Sequence, residues 1–209
     1  MAEADSPQPS EQSRDPDVLA RIGGWLFTRR TALPLPLAAL ILLVPAGTSP
    51  TLAVGVLIVA AGEGLRLWAV HNIGAISRTR TDRLGPLVTT GPFAFVRNPL
   101  YIGNVLIWSG FALAAQLVWM APVVVVLLGL EYHAIVRWEE RLLETRRGDE
   151  YRAYARSVPR WLPRFRAAER PGRGQPAAAS SWRDTLFSER GTIVAIAAGF
   201  ALLALKSRW

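Results

Sequence analysis

The chain has 209 residues, 51% of them hydrophobic, and a mean hydropathy of +0.22, too apolar for an ordinary soluble domain of this length. Its net charge of +8 does not point to nucleic acid, because the arginines cluster beside apolar runs and no basic face interleaved with aromatics is present. Without cysteine there is no disulfide, thiolate nucleophile or thiolate-bound metal; two histidines, His71 and His133, are too few for a histidine-built site, so no metal is expected.

Residues 1–24 read as a disordered cytoplasmic tail: Met1 to Asp17 is polar and acidic, contains Pro and Ser, and lacks the basic start and apolar run of a cleavable signal. Leu33 to Ala46 is apolar but short and broken by Pro34, Pro36 and Pro45, with Trp25, Leu26 and Phe27 lengthening it or lying at the interface. Leu52 to Val70 makes a second span. It carries Glu63 and Arg66 on one helical face, read as an internal ion pair that packs the helix rather than as catalytic groups. Gly62 and Gly64 would allow a neighbouring helix close approach.

From Gly74 to Asn98 the chain is polar, with Arg78, Arg80, Asp82, Arg83 and Arg97, and then a third span runs from Leu100 to Leu117, with Pro99 suited to its first turn. Gln116 marks a tight return into a fourth span, Val118 to Val136. These lengths and this short turn make a helical hairpin whose open ends, Arg97 to Tyr101 and Arg137 to Glu140, emerge on one side. Glu139 to Arg156 has helical spacing and is expected to leave the bilayer and lie along its surface until Pro159 and Pro163 stop it. Residues 166–181 have the composition of a linker, and residues 182–209 form a surface segment with a further apolar run, Gly191 to Leu205.

The expected fold is therefore all-α: a polytopic transmembrane helix bundle of about five spans, its membrane domain at 25–165, with a cytoplasmic surface helix. Arginine is in excess around the amino terminus, in the Arg78 to Arg97 loop and from Arg137 to Arg190, whereas Gly47 to Thr51 and Ala114 to Gln116 carry none. The positive-inside rule then places both charged ends of the hairpin in the cytoplasm.

At that face Arg97 and Asn98 offer donors, Tyr101 lies near the helix start, and Glu139 and Glu140 offer acceptors, a set suited to a ligand bearing a carboxylate and an ammonium or ribose. Either cluster alone would be a snorkelling arginine or a solvated helix end; the hairpin that joins them favours a site. His133 and Glu131, in the same half of the fourth span, line a substrate path or make a packing hydrogen bond. An aromatic belt accounts for Trp68, Trp108, Trp119 and Trp138. Arg160 and Trp161 anchor the surface helix or close over a cofactor.

The blocks Gly85-Pro86-Leu87-Val88-Thr89-Thr90-Gly91-Pro92-Phe93, Arg97-Asn98-Pro99-Leu100-Tyr101-Ile102-Gly103, Glu139-Glu140-Arg141-Leu142-Leu143, Gly148-Asp149-Glu150-Tyr151 and Val158-Pro159-Arg160 resemble, in order and spacing, the isoprenylcysteine carboxyl methyltransferase family and its phospholipid methyltransferase relatives. The resemblance covers about Leu65 to Phe165. It implies an integral-membrane enzyme using S-adenosylmethionine, with the cofactor between a cytosolic lid and the helix ends and an amphiphilic or lipid substrate admitted from the bilayer. Cofactor contacts would fall on Leu87, Val88, Phe93, Asn98, Pro99, Leu100, Tyr101 and Glu139; Arg97, Asn98, Tyr101 and Glu140 would serve the reaction. Asn98 stands where the eukaryotic members have histidine, and Phe93 where they have tyrosine. Their substrate arginine aligns with Ile135, leaving Arg137 as the nearby substitute beside His133. Carboxyl O-methylation of the isoprenylcysteine type is the expected activity. Its rivals are phospholipid amine N-methylation, a membrane reductase of the sterol reductase type, and a scaffold without activity.

Overall fold

The computed structural model describes residues 18–30, 32, 34–45, 49–73, 87–166 and 181–206. Among them all regular structure is helical: α1 (Val18–Arg29), α2 (Pro34–Leu43), α3 (Leu52–Ile73), a short 3-10 turn at Gly91–Ala94, α4 (Pro99–Ala114), α5 (Met120–Arg147), α6 (Asp149–Ser157) and α7 (Trp182–Lys206).

The tightest packing is between α3 and α4, and small residues allow it. Gly55 and Gly62 on α3 face Gly103 and Gly110 on α4, each pair seven residues apart along its helix; a Cβ on Gly62 would lie 2.7 Å from the Gly103 carbonyl oxygen, and one on Gly110 would lie 2.8 Å from that of Gly55. Lipid tails are as apolar as leucine, so helices in a bilayer associate through such close backbone approach rather than through hydrophobic drive. Gly64 meets nothing within 4 Å and takes no part. Thr51 Oγ1 donates to the Leu113 carbonyl at 2.8 Å and fixes the far end of this pair.

Between α4 and α5 the return is as tight as the sequence implies. Gln116 adopts a left-handed φ of 62°, Leu117 N–H reaches back to the Ala112 carbonyl (2.9 Å) and Gln116 N–H to that of Leu113 (2.9 Å). This is a Schellman stop with glutamine in the position usually held by glycine. The core runs down the hairpin through Ile107, Phe111, Met120, Val124, Leu128, Tyr132 and Ile135. α1 closes against α5, Gly23 lying on the Ala134 backbone and Phe27 on Trp138 (ring centroids 4.7 Å apart).

Three helices are long and apolar enough to cross a membrane: α3, α5 and α7. α1 and α2, bent by 65° at their junction, would make a fourth as a broken span, and α4 is a shorter apolar helix of 16 residues. The structure therefore supports three spans, or four, rather than the expected five, because Pro34 and Pro36 open α2 as a separate ten-residue helix and α4, ending at Ala114 before the Gln116 return, has only 16 residues. Leu57, Val126, Leu130 and Val194 point outward, as lipid-facing side chains would.

Two boundaries shift. Residues 18–24, read from sequence as tail, are the first half of α1. The expected surface helix from Glu139 is not a separate element: α5 continues to Arg147, since nothing breaks it before Gly148, whose φ of +51° turns the chain into α6. Residues 74–86, with Arg78, Arg80 and Arg83, and most of the expected linker lie outside the described residues.

Candidate functional site

The site forms where the segment before α4, the last turns of α5, and the chain from α6 to residue 166 meet. Asn98 precedes a proline, which keeps it out of the helical region (φ −124°, ψ 53°), and it opens α4 without capping it by its own side chain. Its amide instead donates to the Arg160 carbonyl at 3.1 Å. Backbone bonds run alongside, from Arg97 N–H to the Pro159 carbonyl (2.9 Å) and from Arg164 N–H to that of Phe95 (3.0 Å). Tyr154 donates to the Phe93 carbonyl at 2.9 Å. Leu87 packs with Tyr151, Tyr154 and Val158 in a small core of its own.

Charge then ties this clamp to α5. Glu140 receives Arg97 (Nη1 to Oε1, 3.0 Å) and a two-pronged approach from Arg160 (Nε to Oε1, 3.0 Å; Nη2 to Oε2, 2.6 Å). A planar carboxylate gripped by a guanidinium fork is the geometry that adds direction as well as energy. Arg97 also donates to the Tyr151 hydroxyl at 3.2 Å. Burial pushes the Tyr151 and Tyr154 phenols well above their ordinary range, so both stay protonated and serve as neutral hydrogen-bonding groups. The bond to Glu140 raises the affinity of Arg160 for its proton.

One turn into α4, Tyr101 donates to Glu139 Oε1 at 2.9 Å. Arg30, following α1, lies close enough to Glu139 to bias it electrostatically. Tyr101 in turn packs on Tyr132, with ring centroids 4.8 Å apart. Below this, a cleft of about 790 Å³ is lined by Arg97, Arg137, Arg141, Arg152, Arg156 and Arg160 with Glu140 and Glu144, a surplus of positive charge.

The structure thus brings Arg97, Asn98, Tyr101, Glu139 and Glu140 to one end of the bundle, and puts Leu87, Phe93 and Pro99 in buried positions around them. Val88 and Leu100 are partly buried beside them in sequence. Arg137 lines the basic cleft, while His133, one turn earlier on α5, approaches Trp161 (ring centroids 6.4 Å). Among the described residues, Arg97 Nε is buried and meets no acceptor, a donor left over for a ligand.

Residues 50–149 match the family model described as phospholipid methyltransferase. That segment is similar to the phospholipid methyltransferase family. Every site residue named from the sequence, Leu87 through Glu140, falls inside the matched segment; Tyr151, Tyr154, Arg160 and all of α7 fall beyond it. The chain is 34% identical over 114 residues to the nickel-cobalt-cadmium resistance protein NccN of Alcaligenes xylosoxydans xylosoxydans, covering 54% of this chain and 50% of that one. It is 33% identical over 115 residues to the cobalt-zinc-cadmium resistance protein CzcN of Cupriavidus metallidurans, with the same coverage. The chain thus spans about half the length of the curated relatives it matches. No solved structure matches.

Sequence reasoning named Tyr151 within a motif block without giving it a contact, and placed neither Tyr154 nor Arg30 at the site. It passed over Asn104 and Tyr132, polar groups on otherwise apolar spans, where such residues are a signal in themselves.

Proposed function

We propose that this chain is an S-adenosylmethionine-dependent membrane methyltransferase acting, from the cytoplasmic side, on an amphiphilic or lipid-like acceptor. What carries the reading is the pairing of Arg97 and Tyr101 with Glu140 and Glu139 across the α4/α5 hairpin, within a segment that matches a methyltransferase family. The residues fit the cofactor: the spare Arg97 Nε and the first turn of α4, which Asn98 leaves uncapped by its side chain, suit a carboxylate, and Glu139 suits an ammonium or ribose hydroxyls. Phe93 and Tyr101 offer aromatic surface, and Leu87, Val88, Pro99 and Leu100 apolar packing. S-adenosylmethionine, when bound, supplies a methyl group on a sulfonium, which a nucleophile takes in line.

The chain's own part is alignment. Glu140, both of whose carboxylate oxygens are engaged by guanidiniums, keeps Arg97 in place and is committed to ion pairs rather than offered to a substrate. That favours an acceptor needing no base, a carboxylate, with the arginine surplus of the cleft and Arg137 drawing it in beside His133. Carboxyl O-methylation of the isoprenylcysteine type is accordingly the first reading. Amine N-methylation of a phospholipid is the second, favoured by the description of the family, and would draw its base from Glu139 through Tyr101.

Purified protein in lipid nanodiscs, given methyl-labelled S-adenosylmethionine and membrane lipid extract, tests both. Label released as methanol by alkali marks an ester, alkali-stable lipid label marks an amine, and absence of cofactor binding by calorimetry removes the methyltransferase reading in favour of a reductase or a scaffold. A role in metal tolerance, which the relatives' names suggest, would follow from that methyl transfer, and growth of a deletion strain on cobalt or cadmium would score it.

A further inference from the structure

Away from the candidate site, a second polar assembly crosses the interior of the bundle. Arg66 on α3 is 6% exposed, and the Glu189 that meets it from α7 is fully buried; their Nη2 and Oε2 atoms lie 2.6 Å apart. Arg66 also meets Glu63 one turn earlier on its own helix (3.3 Å) and Thr192 on α7 (3.2 Å). Its Nη1 donates to the Asn104 carbonyl oxygen on α4. Glu189 and Thr192 lie outside the segment that matches the family and outside any motif read from the sequence.

Asn104 carries the orientation of Arg66 across to α5. An amide has one oxygen and one NH2, and a guanidinium only donates, so Arg66 fixes which way the Asn104 amide faces. With its oxygen turned to Arg66, the NH2 is left to face the Tyr132 hydroxyl on α5, a close polar neighbour. Tyr132 is 3% exposed, and its ring lies on that of Tyr101, 4.8 Å between centroids and tilted by 35°. Tyr101 gives its proton to Glu139. A continuous run of contacts therefore joins Glu189 on α7 to Glu139 on α5 through α3 and α4.

Alternative roles are weaker. If the pair only glued α7 to the bundle, the contacts already present would serve: Gly199 lies against Phe111 of α4, Phe111 packs on Phe200 (4.9 Å), and Trp182 stacks on His71 of α3 (4.2 Å). An ion pair at this depth adds little to such packing, since burying two charges costs about what their attraction returns. Orientation is what apolar side chains cannot provide.

We propose that Arg66, held by Glu63 and by Glu189 of the carboxyl-terminal helix, is a positioning residue that sets Tyr101 against Glu139 by way of Asn104 and Tyr132. This rests on the methyltransferase reading only for its consequence in cofactor affinity; the effect on Tyr101 stands without it.

Two variants test it. Glu63→Gln/Arg66→Met/Glu189→Leu exchanges the charges for apolar packing and deletes the bond to Asn104, and Asn104→Leu removes the relay while leaving the charges. The chain has four tyrosines, so 13C-labelled tyrosine resonances of the apo protein are tractable, Tyr101 being identified by its loss in Tyr101→Phe. We expect the Tyr101 ring signal to move in both variants, S-adenosylmethionine to bind about tenfold more weakly in each, and the two sets combined to lose no more than either alone. Thermal midpoints should stay near that of the parent in the triple variant; if it fails to fold, Asn104→Leu decides. An unmoved Tyr101 signal with parental cofactor affinity overturns the inference. A moved signal in a parent protein that binds no cofactor upholds it and sinks the methyltransferase reading instead.

Discussion

Two ion triads hold this molecule, and their compositions are mirror images. At the charged end, one carboxylate, Glu140, is shared by two guanidiniums, Arg97 and Arg160, with side-chain exposures of 14%, 13% and 26%. In the interior, one guanidinium, Arg66, is shared by two carboxylates, Glu63 and Glu189, exposed by 12% and 0%. The first ties the clamp between residues 95–98 and 159–164 to the end of α5, borders a basic cleft, and leaves a donor on Arg97 unused. The second joins helices that already pack. A partly exposed triad beside an open basic cleft is placed to receive a ligand, whereas a dry one is placed to hold a shape.

Breaking the outer triad should have the largest effect. In Glu140→Ala, Arg97 and Arg160 face each other without their common acceptor, and the clamp between residues 95–98 and 159–164 loses its charged tie to α5. Removing one partner of a buried pair costs about 3–5 kcal/mol locally. S-adenosylmethionine binding by calorimetry is expected to fall at least a hundredfold while far-ultraviolet circular dichroism stays helical. A parental affinity would move the cofactor site away from Glu140.

The inner triad should respond in stability first. Glu189→Ala leaves Arg66 with Glu63 as its remaining carboxylate and opens a cavity against α3. The expected loss is about 3 kcal/mol, at the low end for a broken buried pair because Glu63 remains. A thermal midpoint in detergent measures it. No shift would mean that α7 is held by its apolar contacts alone.

The same comparison shows what the sequence could reveal. The outer triad was legible in outline, because a short turn at Gln116 between two apolar runs forces Arg97 and Glu140 to one end whatever else the chain does. Its third member was not: Arg160 reaches Glu140 only because α5 runs on to Gly148 and α6 doubles back, and helical spacing read as unbroken from Glu139 to Arg156 does not show the reversal at Gly148. For the inner triad, Glu63 and Arg66 were legible as an i,i+3 pair, but Glu189 was not, since it precedes the apolar run that begins at Gly191. The start of α7 was signalled all the same. Ser181 Oγ accepts from Asp184 N–H at 3.1 Å and donates to its carboxylate at 2.7 Å, so the hydroxyl caps the helix start of a Ser-x-x-Asp sequence. Extending the helix back to that cap would have put Glu189 within it.

Between the two triads lies the α3/α4 contact on which both depend. Gly62→Ala would press a methyl 2.7 Å from the Gly103 carbonyl oxygen and 2.9 Å from Ile107, backbone and a branched side chain that cannot both withdraw. Overpacking of this kind costs about 1–3 kcal/mol. Because Arg66 lies one turn further along α3, separating the helices there should also stretch its bond to Asn104. Gly64→Ala is the control, with open space around the new methyl. Equal thermal midpoints for the two variants would show that the close approach is not what holds α3 to α4.

The smallest effect is expected from a triad that satisfies the same distances with none of the burial. Arg152 contacts Asp149 at 2.8 Å and Glu144 at 3.4 Å, with side chains 48%, 94% and 48% exposed. Arg152 holds the Asp149 carboxyl below its usual range, a pull that water and salt largely screen. Arg152→Ala should therefore leave the thermal midpoint and cofactor affinity where they were, and a lower affinity at low salt would appear only if the basic cleft that Arg152 borders attracts the acceptor. Raising the ionic strength separates these outcomes: a difference between Arg152→Ala and the parent that vanishes in high salt belongs to long-range attraction by the cleft, and one that persists would make Arg152 part of the site itself.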